Sequence, residues 1–542
     1  MKLTELISKK NEGMVKAAVL ALAVASATFA AAPLMAQDWP MFGATASNTA
    51  SNYSGISAWN VSQLKTKWTF KTGGDVSARA AVAGDVVYFP DWGGNIWAVN
   101  AATGRLLWGH KLSDYGLPEG TVSRTTPALL GNNLYIGTQL GAWLLAINAS
   151  NGRLNWKTEM ETVDPYAIIS TSPVVNGDVV YTGVASQAEG ATYSGVDLSK
   201  AVARGSVVAV SANRGSILWK TYTIPVGYLG GGVWGSSPVV DPFRRTVFVG
   251  TGDNYAHPQS TAPSSNPNMT YGACMSAENS EPACLSPDDH VDSILALDMN
   301  TGALKWARRM VNWDQDYEPV NGFDDWNVDC IYSLPQCPKN PGPGPDYDFG
   351  SGPNEITYWD ARHGLATIIG AGQKSGIYYA LDPDTGATLW QTQVGPGSSL
   401  GGMEWGSASD GKNIYVAISN YYGISYPNSS LGSAGSWAAL NPATGAIVWQ
   451  TADPNGSVDI GPMAVSNGVV YGSSLSQDTT AHNMVALNAA TGTILWSFAP
   501  GVSVNAGATI VQDTVYWGSG YRNLGLGSGG DNTFYAFTPK GK

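Results

Sequence analysis

Charge is scarce in this 542-residue chain. Asp, Glu, Lys and Arg make up 13% of it, and 41 acids against 29 bases leave a formal net charge of −12. Such a surface lacks the basic footprint that nucleic acid requires. Cysteine is nearly absent as well. The four present are Cys274, Cys284, Cys330 and Cys337, so no N-terminal cysteine is available for lipid attachment. No CxxCH occurs, which excludes a c-type haem carried by this chain. Two close cysteine pairs in an exported chain suggest two loop-stapling disulfides, with neighbour pairing the simplest connectivity. A four-cysteine zinc site is the rival, and neither spacing matches a usual CxxC ligand pair. No second apolar anchor follows the N-terminal run "AAVLALAVASATFAAAPLMA", which stands behind Lys9, Lys10 and Lys16. That pattern reads as a secretory signal over residues 1–36, cleaved after Ala36, with no retained membrane segment and a periplasmic address.

Glycine and tryptophan, by contrast, are abundant, at 65 and 20 residues, and they recur together. Seven times a Gly, three residues and a Trp follow an apolar alternating stretch: Gly104/Trp108, Gly152/Trp156, Gly215/Trp219, Gly302/Trp306, Gly386/Trp390, Gly445/Trp449 and Gly492/Trp496. A degenerate eighth copy, "AWNVSQLKTKW", ends at Trp68. In "YYALDPDTGATLWQTQ" the alternation reads as a strand, Asp-Pro-Asp-Thr-Gly as a turn, and the restart at Ala387 as a second strand. Two more strands fit between most hairpins, as in "SPVVNGDVVYTG" and "PALLGNNLYIGT". Four short antiparallel strands per repeat make a propeller blade. A blade cannot bury both faces alone, so the repeats predict an all-β ring with the outer Trp wedged between neighbours. Residues 37–542 are expected to form this single domain, closed by pairing "TFYAFTP" with the N-terminal blade.

Spacing within the ring is uneven. Trp219 and Trp306 lie 87 residues apart, and Trp306 and Trp390 lie 84 apart, against 40 between Trp68 and Trp108. The excess predicts long loops on one face, where function concentrates. Polar features gather there. "TGVASQAEG" brings Glu189 to a strand end, and "FVGTGDNY" does the same for Asp253 and Asn254. "GGVWGSSPVV" sets Trp234 outside the repeat positions. "FDDWNVDC" supplies Asp324, Asp325, Asn327 and Asp329, and "GAGQKSG" holds Lys374 between glycines. Oxygen ligands from several blades suit a hard cation such as Ca²⁺. A tryptophan face suits a planar aromatic ligand, a lysine can donate to a quinone oxygen, and a further carboxylate can take a hydroxyl proton. A protein-only metal site, or solvated loop carboxylates, would use the same residues.

Taken in order, the docking repeats with "VWGSSP", "VGTGDNY", "DDWNVDC" and "GQKSG" resemble the pyrroloquinoline quinone (PQQ)-dependent alcohol dehydrogenases, in particular their polyvinyl-alcohol dehydrogenase-like branch. The resemblance covers nearly all of the exported region. It implies an eight-bladed β-propeller holding PQQ and Ca²⁺ near its axis. The family's calcium-binding Glu falls on Glu189 and its cation-binding Asn on Asp253, still an oxygen donor. The Trp beneath PQQ falls on Trp234, the basic residue beside the quinone on Lys374, and the upstream cofactor-contacting Arg on Arg124 in "VSRTTP". Methanol dehydrogenase-like members place the base immediately after the motif's Trp. Here that residue is the neutral Asn327, so the role passes to Asp324 or Asp325. Asp329 would support the cation, as in lanthanide-using relatives. The adjacent cysteine pair of many relatives is absent.

The expected activity is PQQ- and Ca²⁺-dependent oxidation of an alcohol to a carbonyl, with a secondary alcohol, which can be polymeric, as the leading substrate. Electrons would pass to an external cytochrome c or another acceptor. Two other readings stand beside it: a non-catalytic periplasmic propeller that scaffolds outer-membrane protein assembly, and a metal-dependent propeller hydrolase or lyase.

Overall fold

The computed structural model describes residues 38–188, 202–256, 286–310, 346–426, 429–522 and 525–540. Among the described residues, eight four-stranded antiparallel blades follow one another along the chain; Ser51–Asn52 adds a parallel fifth strand to one and Ala167–Ile168 an antiparallel fifth to another, and Leu229–Gly230 pairs separately with Asn254–Ala256. The first blade consists of Ala81–Ala83, Val86–Pro90, Asn95–Asn100 and Leu106–Lys111, paired in that order from the axis outward. The next six begin at Ala128–Leu130, Val174–Asn176, Val239–Asp241, Asn354–Asp360, Ala408–Ser409 and Ala464–Ser466. The eighth takes Thr509–Val511, Thr514–Gly518 and Thr533–Thr538 from the C-terminal end and its outer strand, Lys65–Lys71, from the N-terminal end. The expected closure is therefore made: Lys65 pairs with Thr538 and Lys71 with Thr533.

The repeat's two signature residues serve one joint. Each Trp indole donates to a backbone carbonyl of the following blade, as in Trp68 to Ala101 (3.0 Å), Trp108 to Ala149 (2.8 Å) and Trp449 to Ala489 (3.0 Å). The degenerate copy takes part fully, and Trp496 completes the circle by donating to Leu64 at 3.1 Å. Each repeat Gly sits beneath the preceding blade's indole. Gly302, at φ +71°, has no room for a Cβ, which would lie 2.5 Å from Trp219 Cε3. Glycine is thus required twice, for the left-handed backbone and for the stacking.

A second seal was not anticipated. The inner strand of a blade exposes a free edge to the axis, an arrangement that invites pairing. The segment from Trp39 to Gly55 runs round these edges. Trp39 bridges Val82 of blade one, and Pro40 accepts from Leu129 of blade two. Ala46, Ser47, Thr49 and Ala50 accept from Val240, Glu355, Ser409 and Val465 of blades four to seven, at 2.8–3.0 Å. Gly55 then donates to Gln512 of blade eight. This strap satisfies the edges at one end of the channel, and Phe42 on it forms part of the cavity floor described below.

Candidate active site

In a four-stranded meander the connections between second and third strands, and those between blades, share one end. All the described candidate residues stand there. Arg124 enters blade two and Trp234 enters blade four. Asp253 follows Thr246–Gly250, and Lys374 lies between Gly364–Gly372 and Ile377–Leu381.

The fold brings three of them together. The Lys374 ammonium is 7% exposed and lies 5.1 Å from the Trp234 ring centroid. It donates to Asp346 Oδ1 at 2.6 Å and stands 3.5 Å from Asp348 Oδ2. Asp348 Oδ2 also accepts from the Trp234 indole at 2.6 Å, and its Oδ1 accepts from the Asp253 amide at 2.7 Å. Carboxylate oxygens of Asp253, Asp346 and Asp348 lie within 4.8 Å of one another, all buried. Burial opposes the Lys374 charge, yet the pull of Asp346, Asp348 and Glu404 outweighs it and holds the pKa well above the ordinary lysine value. The lysine therefore stays cationic.

Arg124 joins through Trp405. Its guanidinium carbon lies 3.6 Å from the Trp405 ring centroid, and the Trp405 ring meets Trp234 edge-on at 5.2 Å and 73°. Beside Trp405, Glu404 is buried between the Lys374 and Arg124 charges. Burial is the larger effect and pushes its pKa up.

Below these rings an axial recess is lined by Arg79, Arg124, Thr126, Ser172, Ser236 and Trp405, among others. Arg79 is fully buried and donates to the carbonyls of Phe42 (2.7 Å) and Met463 (2.6 Å). Burial lowers its pKa to about 9, which still leaves it charged at neutral pH. Arg79 Nε, Thr126 Oγ1, Trp405 Nε1 and Asn505 Oδ1 of this wall are buried without a hydrogen-bond partner among the described residues. Two guanidiniums, several hydroxyls, unpartnered donors and tryptophan faces fit a planar polyanion, and the aspartate cluster fits a hard cation. PQQ, a flat tricarboxylate quinone, matches that donor set.

Glu189, Asp324, Asp325 and Asp329 lie outside the described residues, as do all four cysteines. Sequence reasoning overlooked Asp346, Asp348, Glu404, Trp405 and Arg79. Signals for two of these pairs were present. "DYDFGSG" places carboxylates two apart before a strand, and "GGMEWG" repeats the glycine-flanked tryptophan that singled out Trp234.

The family model described as outer membrane protein assembly factor BamB matches residues 25–200 and 373–530. A polyvinylalcohol dehydrogenase of Sphingopyxis sp. (strain 113P3) is 28% identical over 537 residues, covering 89% of this chain and 73% of its own length. One from Pseudomonas sp. is also 28% identical, covering 90% and 74%. Among solved structures, the quinohemoprotein alcohol dehydrogenase from Comamonas testosteroni superposes with a TM-score of 0.67 at 18% identity, covering 93% of this chain and 81% of that one. At that identity the superposition speaks to the fold.

Proposed function

This chain belongs to the PQQ-dependent quinoprotein alcohol dehydrogenases, within the wider propeller-repeat family described by BamB, and from that premise we propose that it oxidises an alcohol, with a secondary alcohol as leading substrate, using PQQ and Ca²⁺. The observation that carries the reading is the buried Lys374–Asp346–Asp348 cluster packed on Trp234 beside Asp253. A structural propeller gains nothing from such a cluster, since burying charges is costly even when they are paired.

When bound with the cation, PQQ supplies an electrophilic quinone that accepts the two electrons of the alcohol C–H bond. Trp234 would carry its ring system, and Arg124 and Arg79 would hold its carboxylates. Asp253 and Asp346, with Glu189 and Asp329, would ligate Ca²⁺ or a lanthanide. Lys374 would donate to a quinone oxygen, and its raised pKa suits a group that stays protonated. The hydroxyl proton needs a carboxylate that remains an acceptor. Asp348, oriented by the Trp234 indole and the Asp253 amide, is the described candidate beside Asp324 and Asp325. Export by residues 1–36 to the periplasm and an external cytochrome c or other acceptor complete the reading.

The test is dye reduction by metal-stripped, purified protein over a panel of alcohols and aldehydes, with PQQ and Ca²⁺ added singly and together. Turnover that needs both is the expected result. Folded protein without quinone binding or turnover, with Ca²⁺ or a lanthanide, overturns it and leaves the scaffold described by the BamB family. Metal-dependent turnover without quinone binding would instead indicate a hydrolase or lyase.

A further inference from the structure

We propose that a second hard-cation site, chemically that of Ca²⁺, lies between blades six and seven, with Asp459 and Asp453 as its carboxylate ligands. Both stand in the loop that joins Ile447–Ala452 to Ala464–Ser466, and neither belongs to the Asp253 cluster.

Asp459 is wholly buried, and neither of its carboxylate oxygens has a hydrogen-bond partner among the described residues. Other buried carboxylates on this face are treated differently. Asp91 accepts from the amides of Gly73, Gly93 and Asn95, from the Asn95 side chain and from the Trp97 indole. Asp75 accepts from the Gly530 and Arg522 amides and pairs with the Arg522 guanidinium. A carboxylate with no donor, removed from water, is strongly disfavoured unless it is neutralised or paired with a cation.

Asp453, 3% exposed, supplies a second negative group. Its Oδ2 accepts from Ser474 Oγ at 2.7 Å and the Ser457 amide at 3.2 Å, and its Oδ1 accepts from the Asn455 amide at 2.9 Å. Three donors hold Asp453 in the acceptor role, although burial, the larger effect, pushes its pKa up. Burial first, and then the charge of Asp453, act against the charged form of Asp459. Among the described residues, no lysine, arginine or histidine offsets this on either group. A positive charge is therefore what the pair lacks. Uncharged oxygen converges there too. A Cβ on Gly435 would lie 2.8 Å from Asp459 Oδ2, the Asp459 amide nitrogen and the Ser457 carbonyl oxygen, which accepts from the Gly435 amide at 2.7 Å and keeps a second lone pair. Two carboxylates with a backbone carbonyl are the ligand types a hard cation takes.

The experiment counts tightly bound Ca²⁺ per chain by equilibrium dialysis and elemental analysis. It compares wild-type protein with Asp459→Asn, each with and without PQQ and each checked for folding by circular dichroism. The expected result is one fewer Ca²⁺ per chain in Asp459→Asn under both conditions, with a smaller Ca²⁺-induced rise in thermal midpoint. Because the readout is a difference between proteins, it stands whether or not PQQ binds. Equal Ca²⁺ content in wild type and variant overturns the proposal. So does an infrared carboxylic-acid band in Ca²⁺-saturated wild type that Asp459→Asn removes, since that would make Asp459 a neutral acid. Asp453→Asn should show the same loss where Asp459→Asn does not fold. Should neither variant fold, a wild-type chain binding no tight Ca²⁺ without PQQ overturns the proposal.

Discussion

Replacing Lys374 with Met keeps most of the side-chain volume and removes the positive charge in contact with Asp346 and Asp348. All three groups are at most 8% exposed, so water cannot compensate. Breaking a buried pair by deleting one partner costs about 3–5 kcal/mol, because the surviving charge is left without compensation. Urea unfolding of chelator-treated protein, followed by tryptophan fluorescence, should show a loss of that size. Asp346 is also, with Asp253, a proposed cation ligand, so Lys374 and the metal partly compete for it. Saturating Ca²⁺ at a hundred times its Kd contributes about 2.7 kcal/mol. It should bring the variant to within about 2 kcal/mol of chelated wild type, and stabilise the variant more than the wild type. If chelated Lys374→Met is within about 1 kcal/mol of wild type, Lys374 does not compensate buried negative charge, and the reasoning fails. If Ca²⁺ stabilises both proteins equally, Asp346 is not a ligand of the metal.

Four further outcomes follow from the same geometry. Trp108→Ala should lower stability by about 3–5 kcal/mol, through lost packing and the Ala149 bond, yet leave quinone affinity unchanged by fluorescence titration. Trp234→Ala should do the reverse, weakening quinone binding strongly. Gly302→Ala forces a Cβ against Trp219 at φ +71°, so strain of about 1–2 kcal/mol joins an overpacking cost of about 1–3 kcal/mol, read as a fall in the denaturation midpoint. Burial and then Asp241 push the Glu355 pKa up to about 7, above its unfolded value. Its contribution is therefore present below about pH 4.5 and lost as the pH rises to 7, roughly 3 kcal/mol at most, and Glu355→Gln should flatten stability over that window.

Much of the fold was legible because its determinants are local and repeated. A Gly at a fixed offset before a Trp encodes a positive-φ turn beside an indole, and seven copies leave little choice but a ring of like blades. Lys374, Asp253 and Trp234 were legible for a related reason: each follows or precedes a strand at the loop-bearing end. Asp346 and Asp348 escaped notice because a D-x-D before a strand is common in loops, and nothing along the chain shows that it lands beside a lysine 26 residues on. Arg79 looked like any loop arginine, and the strap from Trp39 to Gly55 has no periodicity to announce it.

Sequence alone determined the repeat unit, the docking tryptophans, the face that carries the candidate residues and the family resemblance, since each rests on spacing within a few tens of residues. Tertiary structure decided what depends on convergence around an axis. It brought Asp348 under the Trp234 indole, set Arg79 beneath the cavity, wound the strap along the inner edges of the blades and buried Asp459 without a donor among the described residues. A closed ring places residues from blades far apart in the chain at one centre. Their energies there follow from burial and pairing, which local sequence does not carry.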